Sequence, residues 1–78
     1  MIIKGVDLSK FNFNMACSIS LQENRGWRWG QAVFNTAYNT DPEWADKWRG
    51  SEIDPFHDDQ NVGVFMLQWD LDHVKVIN

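Results

Sequence analysis

Residues 27–50, WRWGQAVFNTAYNTDPEWADKWRG, decide the fold class. Trp27, Gly30, Val33, Phe34, Ala37 and Tyr38 recur at helical spacing, while Arg28, Gln31 and Asn35 fall mostly on another face. That periodicity predicts a helix over about 26–38. Gly30 inside it costs about 1 kcal/mol relative to alanine, which implies a neighbouring helix or ring packed close to the backbone. Thr40-Asp41-Pro42-Glu43 reads as a capping box, with Thr40 as N-cap and Glu43 at N3. Gly50 is the expected residue just past the end. A second helix over 41–49 follows, with Trp44 and Trp48 on one face beside Ala45.

Working outward, Phe11, Met15 and Ile19 lie at i, i+4 and i+8 and predict the buried face of an N-terminal helix. Asp7 or Ser9 is its candidate cap, and Asn24-Arg25-Gly26 its stop signal. Towards the other end, Val62, Phe65, Met66 and Trp69 take helical spacing. Val64 and Leu67 make that run nearly continuous, so a buried strand rivals a helix over 59–70; the helix is the reading adopted. His73-Val74-Lys75-Val76-Ile77 is strand-like and pairs, on this reading, with residues 1–6. The expectation is a mainly α single domain, residues 1–78, built as a bundle of three or four short helices with a minor two-stranded terminal β-ribbon.

A chain of 78 residues buries a modest core, and one cysteine, Cys17, excludes an internal disulfide. Five tryptophans and five phenylalanines supply the apolar mass instead. The net charge of −4 argues against nonspecific binding to nucleic acid or anionic membrane. Charge is unevenly spread: residues 51–78 hold six acids against Lys75 alone. No run reaches the ~18 apolar residues that a membrane span needs, and a soluble cytoplasmic protein is expected.

Asp54-Pro55-Phe56-His57-Asp58-Asp59 joins a turn former, an aromatic anchor, a histidine and acids. It reads as a structural clasp. Asp54-Pro55 sets the turn, Phe56 plugs the core, and Asp54 or Asp58 meets Arg28 or Arg49. Gln31 and Asn35 tie the loop backbone to the helix, and Asp58 or Asp59 caps the last helix. His57 has no role in this account.

The Trp27–Asn35 segment and the Asp54–Asp59 segment, followed by an apolar run, resemble a set of short uncharacterised phage and prophage reading frames. Their pattern is an R-x-G-Q-x-x-x-N helix, a spacer, D-P-F-Y with acids, and a closing apolar helix. This chain has His57 in the tyrosine position and a whole capped helix in the spacer. The resemblance implies a small, mostly helical, phage-encoded protein and carries over no catalytic residue or cofactor.

Three classes of function remain. The leading one is a non-enzymatic binding protein that docks on a host or phage protein, in host takeover or counter-defence, without a cofactor. Trp29 with Arg25 and Arg28 is its candidate contact surface, because Trp and Arg are enriched at binding hot spots. The alternative is a metal-binding module or metal-dependent enzyme using Asp54, His57, Asp58 and Asp72; the spacing matches no known site, and a turn, an N-cap and a solvated acidic face are the preferred explanation of these residues. The third is a structural subunit that buries its aromatic surface in a homo-oligomer.

Overall fold

The computed structural model describes the backbone of residues 12–74 together with Ile2–Ile3 and Val6–Asp7, and side chains over residues 12–73. Four α-helices dominate the described residues: α1 (Phe13–Glu23), α2 (Trp29–Thr40), α3 (Pro42–Trp48) and α4 (Val62–Trp69). A 3-10 turn, Asp59–Asn61, leads into α4, and a π-helical turn, Asp70–Val74, extends it. The mainly α reading holds, and the 59–70 run is helical rather than extended.

The terminal ribbon is different from expectation. Two short strands, β1 (Ile2–Ile3) and β2 (Val6–Asp7), pair with each other, Ile2 opposite Asp7 and Ile3 opposite Val6. The β-like His73 and Val74 belong to the π-helical turn, because the His73 ring stacks on Trp69 at 3.8 Å and its Nδ1 faces the Trp69 carbonyl at 3.0 Å. Residues 75–77 of that expected strand lie outside the described residues.

Helix α1 starts at Asn12, whose side chain accepts from the Met15 N–H at 2.9 Å. Of the other residues expected here, Asp7 lies in β2, and Ser9 and Phe11 lie outside the described residues. The buried face is also rotated from the predicted one. Met15 and Ile19 are 59% and 47% exposed, whereas Phe13 and Cys17 are buried. The reason is close approach to α2. The Thr36 hydroxyl pairs with Ser20 Oγ at 2.9 Å and donates to the Ala32 carbonyl at 2.8 Å, and the Cys17 thiol bonds Thr36. Small side chains at 17 and 20 let the helices meet where Met and Ile would hold them apart. Burial pushes the Cys17 thiol up to about 12, only partly offset by the Thr36 bond.

Asn24 closes α1 as foreseen, its backbone N–H reaching the Ser20 and Leu21 carbonyls. Helix α2 begins three residues later than the periodicity suggested, which leaves Trp27 in the preceding turn. Asp41, not Thr40, caps α3: its Oδ1 accepts from the Trp44 N–H at 3.2 Å. Thr40 completes α2 and donates its hydroxyl to the Thr36 carbonyl. Gly50 ends α3 at φ +72°, a conformation glycine adopts without strain.

The core sits where α2, α3 and α4 converge. Val33, Phe34, Ala37, Trp44, Ala45, Val62, Phe65 and Trp69 are all buried. Trp69 is its centre: it stacks on Phe13 at 4.3 Å and meets Trp44 edge-on at 5.0 Å.

Candidate functional site

The two sequence segments singled out above form one structural unit. Arg28 Nη2 donates to the Phe56 carbonyl at 2.8 Å, and its Nε lies 3.7 Å from Asp59 Oδ1. That same oxygen accepts the Gly30 backbone N–H at 2.9 Å. Arg28, the N-cap position of α2, makes no side-chain cap of its own. Asp59 therefore caps α2 from the far side of the loop, bringing negative charge to the positive end of the helix. Gly30 is needed because a Cβ there would overlap the Pro55 carbonyl oxygen and fall 2.7 Å from Asp59 Oδ1. The close neighbour inferred from this glycine is thus loop backbone, not a helix or a ring.

The clasp differs in its partners from the expected one. Asp54 turns inward on its own loop: Oδ1 accepts from the Phe56 N–H at 2.8 Å and Oδ2 from the Gly50 N–H at 2.6 Å. Asp58 accepts from Gln60 N–H and starts the 3-10 turn. Arg49 pairs with Asp46 at 2.9 Å and lays its guanidinium over the Phe34 and Tyr38 rings, 5.0 and 5.4 Å from their centroids. The ion pair to the loop is Arg28 with Asp59, chosen because Asp54 and Asp58 are occupied by nearby backbone N–H groups. Asn61 Nδ2, rather than Gln31 or Asn35, holds the Asp54 carbonyl. Pro55 is fully buried, and Phe56 packs edge-on to Phe34 at 5.9 Å.

His57 is exposed and stands edge-on to Phe56, with ring centroids 4.8 Å apart. With Phe34, Arg49, Gly50, Asp54 and Phe56 it lines an open cleft of about 300 Å³. The four residues of the metal alternative are not gathered into one cluster. Asp72 lies on the π-helical turn, and no group of three or more His, Cys, Asp or Glu fit to hold a metal occurs among the described residues. Of the proposed contact residues, Arg25 is exposed on the turn after α1, Arg28 is engaged by the loop, and Trp29 is partly buried against the core.

A second polar cluster escaped sequence reasoning. His73 Nε2 lies 2.8 Å from Asp41 Oδ2, with 3% and 14% of the two side chains exposed. Beside it, Trp44 Nε1 donates to Asp72 Oδ2 at 2.7 Å, and Gln68 Nε2 donates to both Asp72 oxygens at 3.1 Å. Burial raises the Asp72 carboxyl, but the bonds from Trp44 and Gln68 and the charges of Lys47 and His73 outweigh it and hold the group below its ordinary value. The His73 ring is packed between two indoles, and both of its nitrogens are engaged, one by Asp41 and one by the Trp69 carbonyl. The available signal was the i, i+4 spacing of Trp69 and His73, hidden by the β-branched residues that follow.

The outer face of α4 is apolar as well. Val64, Leu67 and Leu71 are 45%, 58% and 49% exposed, at i, i+3 and i+7, with exposed Gly63 alongside. No described helix is long and apolar enough to cross a membrane. Comparison with protein-family models, curated proteins and solved structures finds no match to this chain.

Proposed function

We propose that this is a non-enzymatic docking protein whose contact surface is the outer stripe of α4. What supports this reading is that α4 is apolar on both sides. Val62, Phe65 and Trp69 fill the core, while Val64, Leu67 and Leu71 form a stripe facing outward. Apart from Gln68, α4 carries only apolar side chains, and the exposed stripe that runs from it to Leu71 on the following turn calls for a cover. Exposed Asp70 and Asp72 sit at the end of the stripe, within the acid-rich residues 51–78. The fitting partner is a protein surface with an apolar groove and a basic rim, read by anchors at i, i+3 and i+7. The motif resemblance suggests the setting, a phage-encoded protein acting in the cytoplasm of an infected host on a host or phage component. On this reading Trp29, with its ring against the core, is secondary to α4.

The test is a Val64→Ser/Leu67→Ser double variant, in which two exposed side chains change and the helical signal and melting temperature stay close to wild type. Capture of a partner by the wild-type protein, lost in this variant and kept in Arg25→Ala/Trp29→Ala, supports the assignment. The opposite pattern returns the contact to Trp29. Concentration-dependent sedimentation that vanishes in the double variant makes the occupant a second copy, and a wild-type protein that binds neither itself nor a partner ends the proposal.

A further inference from the structure

We infer that the π-helical turn Asp70–Val74 is a proton-dependent latch, closed on the α2–α3 joint by the doubly protonated form of His73. Both ring nitrogens face acceptors. Nδ1 meets the Trp69 carbonyl at 3.0 Å and Nε2 meets Asp41 Oδ2 at 2.8 Å. A neutral imidazole carries one N–H and can satisfy only one of these; the imidazolium satisfies both. Losing the proton leaves a nitrogen lone pair against an oxygen in a site with 3% of the side chain exposed, where an unmade bond is most costly.

Two carboxylates lie near the ring. Asp41 reaches it from the α2–α3 joint, and Asp72 sits on the same turn. Lys47 on α3 opposes them, its ammonium lying over the Trp48 ring at 5.4 Å from the centroid. Helix α4 carries no ionisable side chain. The turn itself is placed by the extra residue of its π-helical geometry, a form often found at functional positions. That geometry directs Asp72 to Trp44 and His73 to Asp41 from one turn. The proton is exchanged with water, and no other bond is made or broken.

The latch closes as the ring gains its proton and loosens as it loses it. In the present structure Asp41 Oδ1 also caps α3, so a closed latch couples the start of α3 to the end of α4. Leu71, the last anchor of the proposed docking stripe, is carried by the same turn; that connection alone rests on the docking reading, and the latch does not.

The experiment reads His73 directly by long-range proton–nitrogen NMR from about pH 5 to about pH 8, the span over which histidine changes charge. Exposed His57 is an internal reference in the same spectra. Amide protection factors of residues 70–74 are measured alongside. We expect two ring protons on His73 at the acid end, and protection that falls several-fold as the second proton leaves. Asp41→Asn keeps Oδ1 for the α3 cap but presents an N–H to Nε2, so a neutral ring now satisfies both contacts. Its pH dependence should reverse, with protection greatest at the alkaline end. A single neutral tautomer throughout with constant protection, or an Asp41→Asn variant that keeps the wild-type sense, overturns the inference.

Discussion

The two ends of α2 are fastened by opposite means. At its start, Arg28 and Gly30 hold the 54–59 loop through one carbonyl and one carboxylate, in a half-exposed setting. At its end, α3 and the last turn close over stacked rings, with Trp69 between Phe13, Trp44 and His73. The first fastening is specific but each bond is weak: the Arg28–Asp59 pair is about half exposed on both sides and contributes less than about 1 kcal/mol. The second supplies mass, since a buried aromatic removes on the order of 150–250 Å² from water. One end thus fixes where the loop lies, and the other supplies most of the burial.

Breaking the aromatic end should have the largest effect. Trp69→Ala deletes a fully buried ring that contacts three others, and a loss of about 3–5 kcal/mol is expected in chemical denaturation. For a domain of this size that amounts to a large fraction of its stability. A transition unchanged in midpoint would place the core elsewhere. The clasp gives a sharper test of mechanism through Gly30→Ala. Helix propensity alone predicts a gain of about 1 kcal/mol. The blocked approach of the Pro55 carbonyl predicts a net loss of about 1–3 kcal/mol instead, because backbone cannot swing aside as a flexible side chain can. A stabilised variant would refute the clasp geometry.

The smallest effect is silent at neutral pH. The Cys17 thiol is raised to about 12 in the fold, while an unfolded thiol ionises near about 8.5. The unfolded state therefore releases a proton that the fold retains, and stability falls as pH rises through the unfolded value towards 12. By pH 10 the loss should be about 1–2 kcal/mol, seen as a narrowing gap between wild type and Cys17→Ala in denaturation curves. The same thiol should resist alkylation until the chain unfolds.

What the sequence disclosed follows from how local each signal is. The helices carrying Val33, Phe34 and Trp44 were legible because their apolar spacing is regular, whereas the near-continuous apolar run around Phe65 and Trp69 fitted a strand as well as a helix. Gly30 announced a close neighbour correctly, although its identity was beyond local reading. The face of α1 was misjudged because Met15 and Ile19 outweigh Cys17 and Ser20 in hydrophobicity, while contact with Thr36 rewards small size. Caps supplied from afar, such as Asp59 to Gly30, have no sequence signature, since capping motifs are sought within a few residues. The Asp41–His73 pair spans 32 positions and was hidden for the same reason.

The sharp turn at Gly50–Ser51 gains a further meaning from these two fastenings. Both tie residues before the turn to residues after it: Gly30 to Asp59 on one side, Trp44 to Asp72 and Asp41 to His73 on the other. A protease that nicks the exposed turn would cut the chain without releasing either piece. The severed halves would still meet through these contacts and the shared aromatic core, so the turn bears little of what holds the two segments together.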